Sequence, residues 1–231
     1  KFSFLNLIYL LIVILYGAYV RMTGAGAGCG RHWPLCNGRI VPLEPELKTV
    51  IEYTHRVTSG FSLVFVVLLF LISFRLFPKK HPVRFFTSGM FIFICLEALL
   101  GASLVLLEHV AYNSSENRAI TVGLHLINTF TLLFFAAGSF YFAHSPAQRF
   151  RFSWQKDRGF FIIFFLLALV GASGAITALG DTLFPIKEGA HAFADISPSA
   201  HLFVRLRIYH PILALAVSSS LLYFISRFFT S

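Results

Sequence analysis

The chain has 231 residues, of which 57% are hydrophobic, only 13% are charged and 28 are phenylalanine. A soluble fold of this length has nowhere to hide so much apolar surface, which excludes a water-soluble domain. The formal net charge of +9 would suggest nucleic acid in a soluble protein; here the bases fall mainly between apolar runs, so they face lipid headgroups and not nucleic acid.

A helix crossing the hydrocarbon core needs about 20 mainly apolar residues. The sequence predicts six such spans, over residues 2–20, 50–77, 85–107, 120–143, 159–179 and 202–229. The first run is long enough to be a span rather than a cleavable leader, and the start at Lys1 is expected to follow a few further residues. Bases cluster after the second span (Arg75, Lys79, Lys80, Arg84) and after the fourth (Arg149, Arg151, Lys156, Arg158). The third and fifth connections hold one base each, Arg118 and Lys187, beside Glu108, Glu116, Asp181, Glu188 and Asp195. The positive-inside bias then puts both visible termini in the cytoplasm of a bacterial or archaeal cell. The first loop, with Arg21, Arg31, Arg39 and Lys48, lies outside despite its bases.

That outer loop carries Cys29 and Cys36 on the side where disulfides persist. Six residues separate them, including Gly30 and Pro34, so the loop can close a bond; two free thiols are the alternative. Cys95, inside the third span, reads as a small buried apolar residue.

Of nine histidines, His32, His81, His109, His144 and His191 lie in or beside loops. His55, His125 and His210 lie inside spans, where an ionisable side chain is costly and usually functional. All three spans run inward from the outer face, and each imidazole sits roughly 7–12 Å below its helix start at 1.5 Å per residue. Imidazoles at one level in a helix bundle suit axial ligation of haem iron. Zinc or copper fits less well, because no second cysteine, carboxylate or i, i+4 histidine completes a compact site.

Glu52 precedes His55 by three residues, on the same helix face, and Arg56 follows Glu52 by four. Two readings stand: an interfacial Glu–Arg pair, or a carboxylate beside a haem edge that handles protons or developing positive charge. Arg56, Arg205 and Arg207 suit either haem propionates or lipid headgroups.

The chain also repeats itself weakly. Gly17-Ala18 resembles Gly171-Ala172, Thr23 matches Thr177, and nearly the same offset brings His55 onto His210. Repeated halves are common in membrane proteins. The expected organisation is a four-helix bundle over residues 1–144 and the first two spans of a second bundle over 145–231, with two further spans and the partner ligand of His210 beyond the chain. Glu52, Cys29 and Cys36 have no counterparts in the second half, so chemistry is expected in the first.

The segment Arg21-Met-Thr-Gly-Ala-Gly-Ala-Gly-Cys29-Gly-Arg-His-Trp-Pro-Leu-Cys36-Asn-Gly, followed by Glu52-Tyr-Thr-His55-Arg56, is similar to the first outer loop and second span of haem A synthases. Gly123-Leu-His125 resembles their fourth span. The resemblance implies an all-α integral membrane protein of two pseudo-symmetric antiparallel four-helix bundles, which oxidises the C8 methyl of haem O to the formyl of haem A. It implies that His55 and His125 hold the substrate haem, that Glu52 is the catalytic carboxylate, and that Cys29 and Cys36 are the outer-loop pair. It also implies that His210 ligates a haem b in the second half, with haem O synthase and an electron acceptor as partners and homo-oligomerisation left open. Pro211 departs from the family, which often has arginine after this histidine. A membrane cytochrome b that only passes electrons, or a haem-handling protein without chemistry, are the rival functions.

Overall fold

The computed structural model describes residues 1–111, 113, 115–144, 154–184 and 202–230. They form seven helices: α1 (Phe2–Met22), α2 (Leu47–Leu76), α3 (Pro82–Leu106), α4 (Glu116–His144), α5 (Trp154–Leu183), α6 (Leu202–Leu206) and α7 (Tyr209–Thr230). No strand forms among the described residues beyond an isolated bridge between Cys36 and Arg39. Four helices, α1 to α4, are long and apolar enough to cross a membrane. α5 carries a shorter apolar stretch, Ile162–Ala178. The protein is thus an all-helical membrane protein, with four of the six expected spans meeting that measure among the described residues. The stretches bearing Arg149, Arg151, Lys187, Glu188, His191 and Asp195 lie outside the described residues.

Local chemistry sets the helix ends. α1 closes on Gly24 at φ +63°, whose N–H donates to Arg21 O while that of Ala25 donates to Val20 O. This pair of bonds satisfies two orphan carbonyls, and the left-handed turn favours glycine. α2 stops at Leu76, next to Phe77 in extended backbone, as the following Pro78 requires. α3 starts with Pro82 in its first turn, and the His81 ring accepts the N–H of Val83 at 3.3 Å.

The last predicted span, 202–229, is not one helix. It breaks after Leu206 and restarts at Tyr209. Pro211 is the physical reason: it lacks an N–H and its ring clashes with the carbonyl four residues earlier, so it is accommodated only in a first turn.

The chain divides into two compact units, one of Lys1–Asn113 with Asn128–Arg151, the other of Ser114–Ile127 with Phe152–Ser231. The core of the first unit is Leu10, Val66, Leu69, Met90, Ile94, Leu132 and Ala136. Between α3 and the later part of α4, two glycines let the backbones approach. A Cβ at Gly89 would overlap the ring of Phe135, and one at Gly138 would overlap the ring of Phe86. Such close packing replaces the hydrophobic drive that lipid removes. Ser73 and Thr87 hydroxyls, 2.7 Å apart and buried, join α2 to α3. Large side chains such as Leu15, Leu71 and Leu99 face outward, as lipid-facing positions should. In the second unit α7 and the α6 turn pack on α5.

Candidate functional site

The loop between α1 and α2 folds down onto the start of α2. Cys29 and Cys36 form a disulfide with their Cα atoms 4.4 Å apart, and both are fully buried. Gly28 lies against the backbone of Lys48, where an added Cβ would stand 2.5 Å from the carbonyl carbon, so only glycine allows the approach. The Gly28 carbonyl accepts the Thr49 hydroxyl at 2.7 Å, which fastens loop to helix.

Glu52 sits at the centre of this junction and is 3% exposed. Its Oε2 accepts the backbone N–H of Cys29 at 2.7 Å. Its Oε1 accepts Nε of Arg56 at 3.0 Å and also Nη2 of the same guanidinium. The Glu–Arg pair that the i, i+4 spacing suggests therefore exists, and one carboxylate oxygen is committed to the cysteine loop as well. Arg56 extends the clamp, with Nη1 donating to the carbonyls of Leu35, at 2.5 Å, and His32. Arg56 is thus a structural tie between helix and loop, and Arg31 of the loop is tied in turn to Glu108 at 3.5 Å.

His55 is the ninth residue of α2, one turn below Glu52. Its ring packs on α1 at Gly17, where an added Cβ would be 2.9 Å from Cε1 and 3.1 Å from Nε2. Tyr16 flanks it, ring centroids 6.1 Å apart. His125 is the tenth residue of α4, so these two keep a common distance from their helix starts. His55 belongs to the first unit, whereas His125 and His210 belong to the second.

His210 stands differently, as the second residue of α7. The helix break before it, at residues 207–208, removes the helical phase that would have put Arg207 on its face. The Arg207 guanidinium instead donates to the Phe184 carbonyl at the end of α5, at 3.3 and 3.4 Å. The His210 ring nonetheless repeats the environment of His55. It lies on Gly174 of α5, where a Cβ would be 3.0 Å from Cε1 and 3.4 Å from Nε2. The order of approach, Cε1 and then Nε2, is the same at both glycines. Of the two Gly-Ala pairs at 171 and 174, it is Gly174 that lies against the His210 ring, as Gly17 lies against that of His55.

The Cε1–Nε2 edges of His55 and His210 each lie over a glycine of a neighbouring helix, where a Cβ would crowd them. That cradle, and a donor set of separate imidazoles rather than a cluster, fits an axial haem ligand. No group of three or more His, Cys, Asp or Glu gathers among the described residues.

A further ionisable residue in a span escaped the sequence reading. Glu97, in α3, accepts the Asn128 amide at 2.5 Å and the Thr129 hydroxyl, both from α4. The same amide donates to the Phe93 carbonyl at 2.9 Å. The available signal was the acidic residue itself within an apolar span.

Over residues 1–231 the chain matches the family model COX15-CtaA, described as cytochrome oxidase assembly protein. It is 45% identical over 214 residues to a protoheme IX farnesyltransferase of Thermus thermophilus, covering 91% of this chain and 35% of that relative. It is 43% identical over 96 residues to the heme A synthase of Bacillus cereus (strain AH187), covering 42% of this chain and 31% of the relative. The heme A synthase of Bacillus anthracis (strain A0248) matches to the same extent. The chain thus spans about a third of the length of these curated relatives. The match over the whole chain places this all-helical membrane protein in the cytochrome oxidase assembly protein family, COX15-CtaA.

Proposed function

We propose that the protein is a haem A synthase, which oxidises the C8 methyl of haem O to a formyl group. The observation that carries this reading is Glu52: a buried carboxylate one turn from His55 and bonded to the Cys29 backbone. By resemblance to haem A synthases, His55 and His125 would hold the substrate haem, and His210 would hold a haem b in the second half. Six spans, two pseudo-symmetric bundles, residues 1–144 and 145–231 as the two halves, and cytoplasmic visible termini complete the proposed architecture.

The reaction converts CH3 to CH2OH with one water, releasing two electrons and two protons, and then CH2OH to CHO with the same release. The haem iron supplies the route by which those four electrons leave, towards an acceptor outside this chain. Glu52 contributes in either of two ways. Its negative charge stabilises positive charge growing at the methyl carbon, or it accepts the proton of the attacking water. Arg56 already donates to His32 and Leu35, so its guanidinium stays held if Oε1 turns to the substrate. The disulfide loop closes over this junction and limits bulk water.

The Thermus relative bears the name of a farnesyltransferase, and this chain matches only 35% of its length. We assign farnesyl transfer to the part of that relative that does not match, and a haem O synthase as the partner that delivers substrate within the membrane.

Pigment extraction after co-expression with a haem O source tests the reading. Haem A in the extract, and its loss in Glu52→Ala with haem still bound, is the expected result. An extract holding only haem b would point to an electron-transfer cytochrome, and normal haem A from Glu52→Ala would discard the carboxylate.

A further inference from the structure

Ser173 and Gly174 are consecutive on α5, and both meet the ring of His210. Ser173 Oγ lies 2.9 Å from His210 Nδ1 and 2.9 Å from the Val170 carbonyl oxygen. A serine hydroxyl has one hydrogen and two lone pairs. A carbonyl only accepts; with that hydrogen on Val170, the face turned to His210 is a lone pair. The hydrogen in the Ser173–His210 bond must then sit on Nδ1. A neutral imidazole has one N–H, so Nε2 is left with its lone pair.

Gly174 completes the arrangement on the other edge of the ring. A Cβ there would come within 3.4 Å of Nε2 and 3.0 Å of Cε1, so the glycine leaves that side clear. One residue thus sets the tautomer and its neighbour removes the obstruction. At the equivalent position of the first unit, before Gly17, the residue is Tyr16, whose ring flanks His55. A serine at this place belongs to the second unit.

We propose that Ser173 is a positioning residue which holds His210 as the Nδ1–H tautomer, presents Nε2 to haem iron and raises its basicity through the Nδ1 bond. This rests on the reading of His210 as a haem ligand. A second-sphere acceptor of this kind fixes ring orientation and strengthens the ligand, and its loss typically costs about 10–100-fold in metal affinity. A more basic imidazole favours ferric over ferrous iron, so removing the acceptor raises the midpoint potential.

The test is a graded series in the detergent-purified holoprotein: Ser173→Thr, Ser173→Cys and Ser173→Ala, beside His210→Ala. Haem content, midpoint potential and low-spin electron paramagnetic resonance are read for each, with gel filtration as the check of folding. Threonine keeps the hydroxyl and should match wild type. Alanine should weaken retention of this haem by about tenfold and shift its potential upward, with cysteine between. The potential should follow acceptor strength even where haem content does not change. Wild-type retention, potential and spectrum in a folded Ser173→Ala protein, while His210→Ala loses the haem, would overturn the inference alone. Retention of the haem with an unchanged spectrum in His210→Ala would overturn the ligand reading on which it rests.

Discussion

Oε2 of Glu52 accepts the backbone N–H of Cys29 at 2.7 Å, so the helix that carries His55 and the loop that carries the disulfide meet at one carboxylate. Any movement of the loop is transmitted to α2 within one turn of the imidazole. The same bond makes Glu52 structural before it is chemical, and the two roles need separate readouts.

Glu52→Ala removes the acceptor for Cys29 and strands the Arg56 guanidinium, whose side chain is 12% exposed. Breaking a buried pair by truncating one partner costs about 3–5 kcal/mol. The lower end is expected, since Arg56 keeps the His32 and Leu35 carbonyls. Thermal unfolding in detergent measures the loss. Limited trypsin digestion at the exposed Arg31 and Arg39 should accelerate in parallel, and an unchanged digestion rate would mean that the loop does not depend on Glu52.

Thiol counting checks the loop closure. After denaturation in SDS without reductant, maleimide should label one cysteine per chain, Cys95, because Cys29 and Cys36 are joined. With reductant it should label all three. Three labels in the unreduced protein would refute the bond.

Gly17→Ala and Gly174→Ala place a methyl 2.9 and 3.0 Å from the Cε1 atoms of His55 and His210. Each ring must give by a few tenths of an ångström, which alters the orientation of the imidazole without deleting it. The expected result is retained haem with shifted electron paramagnetic resonance g-values, in a different haem for each variant. Identical spectra in both variants and wild type would show that neither glycine frames a ligand.

Asn128→Ala removes the amide shared by Glu97 and Phe93. Polar contacts between membrane helices average about 0.6 kcal/mol and reach about 1.7. The loss should fall at or above the upper figure, because one amide serves both a carboxylate and a backbone carbonyl. A double-mutant cycle with Glu97→Gln measures the pair. A coupling energy of zero would mean that α3 and α4 are held by packing alone.

The helices were legible because hydropathy over 20 residues is a strong signal, and α1 to α4 begin and end within five residues of the spans read from it. The Glu52–Arg56 pair was legible for a similar reason, since i, i+4 spacing fixes proximity on a helix. The second half was harder. Gly-Ala occurs twice within five residues, at 171 and at 174, and only the structure tells which glycine meets the His210 ring. Pro211 was visible as a departure, but the break it forces, and the consequent loss of phase between Arg207 and His210, belongs to backbone sterics rather than hydropathy. Glu97 was hidden by its surroundings: one acid scarcely lowers the average of a span as apolar as α3.

The two glycine–phenylalanine locks between α3 and α4 restrict the order in which these positions can change over time. A ring can shrink before its glycine acquires a side chain, whereas the reverse order forces overlap at once. Replacement at 89 must therefore follow loss of the ring at 135, and replacement at 138 must follow loss of the ring at 86. While either lock persists, it keeps the two helices in register as the other is rebuilt, so drift at this seam proceeds one lock at a time.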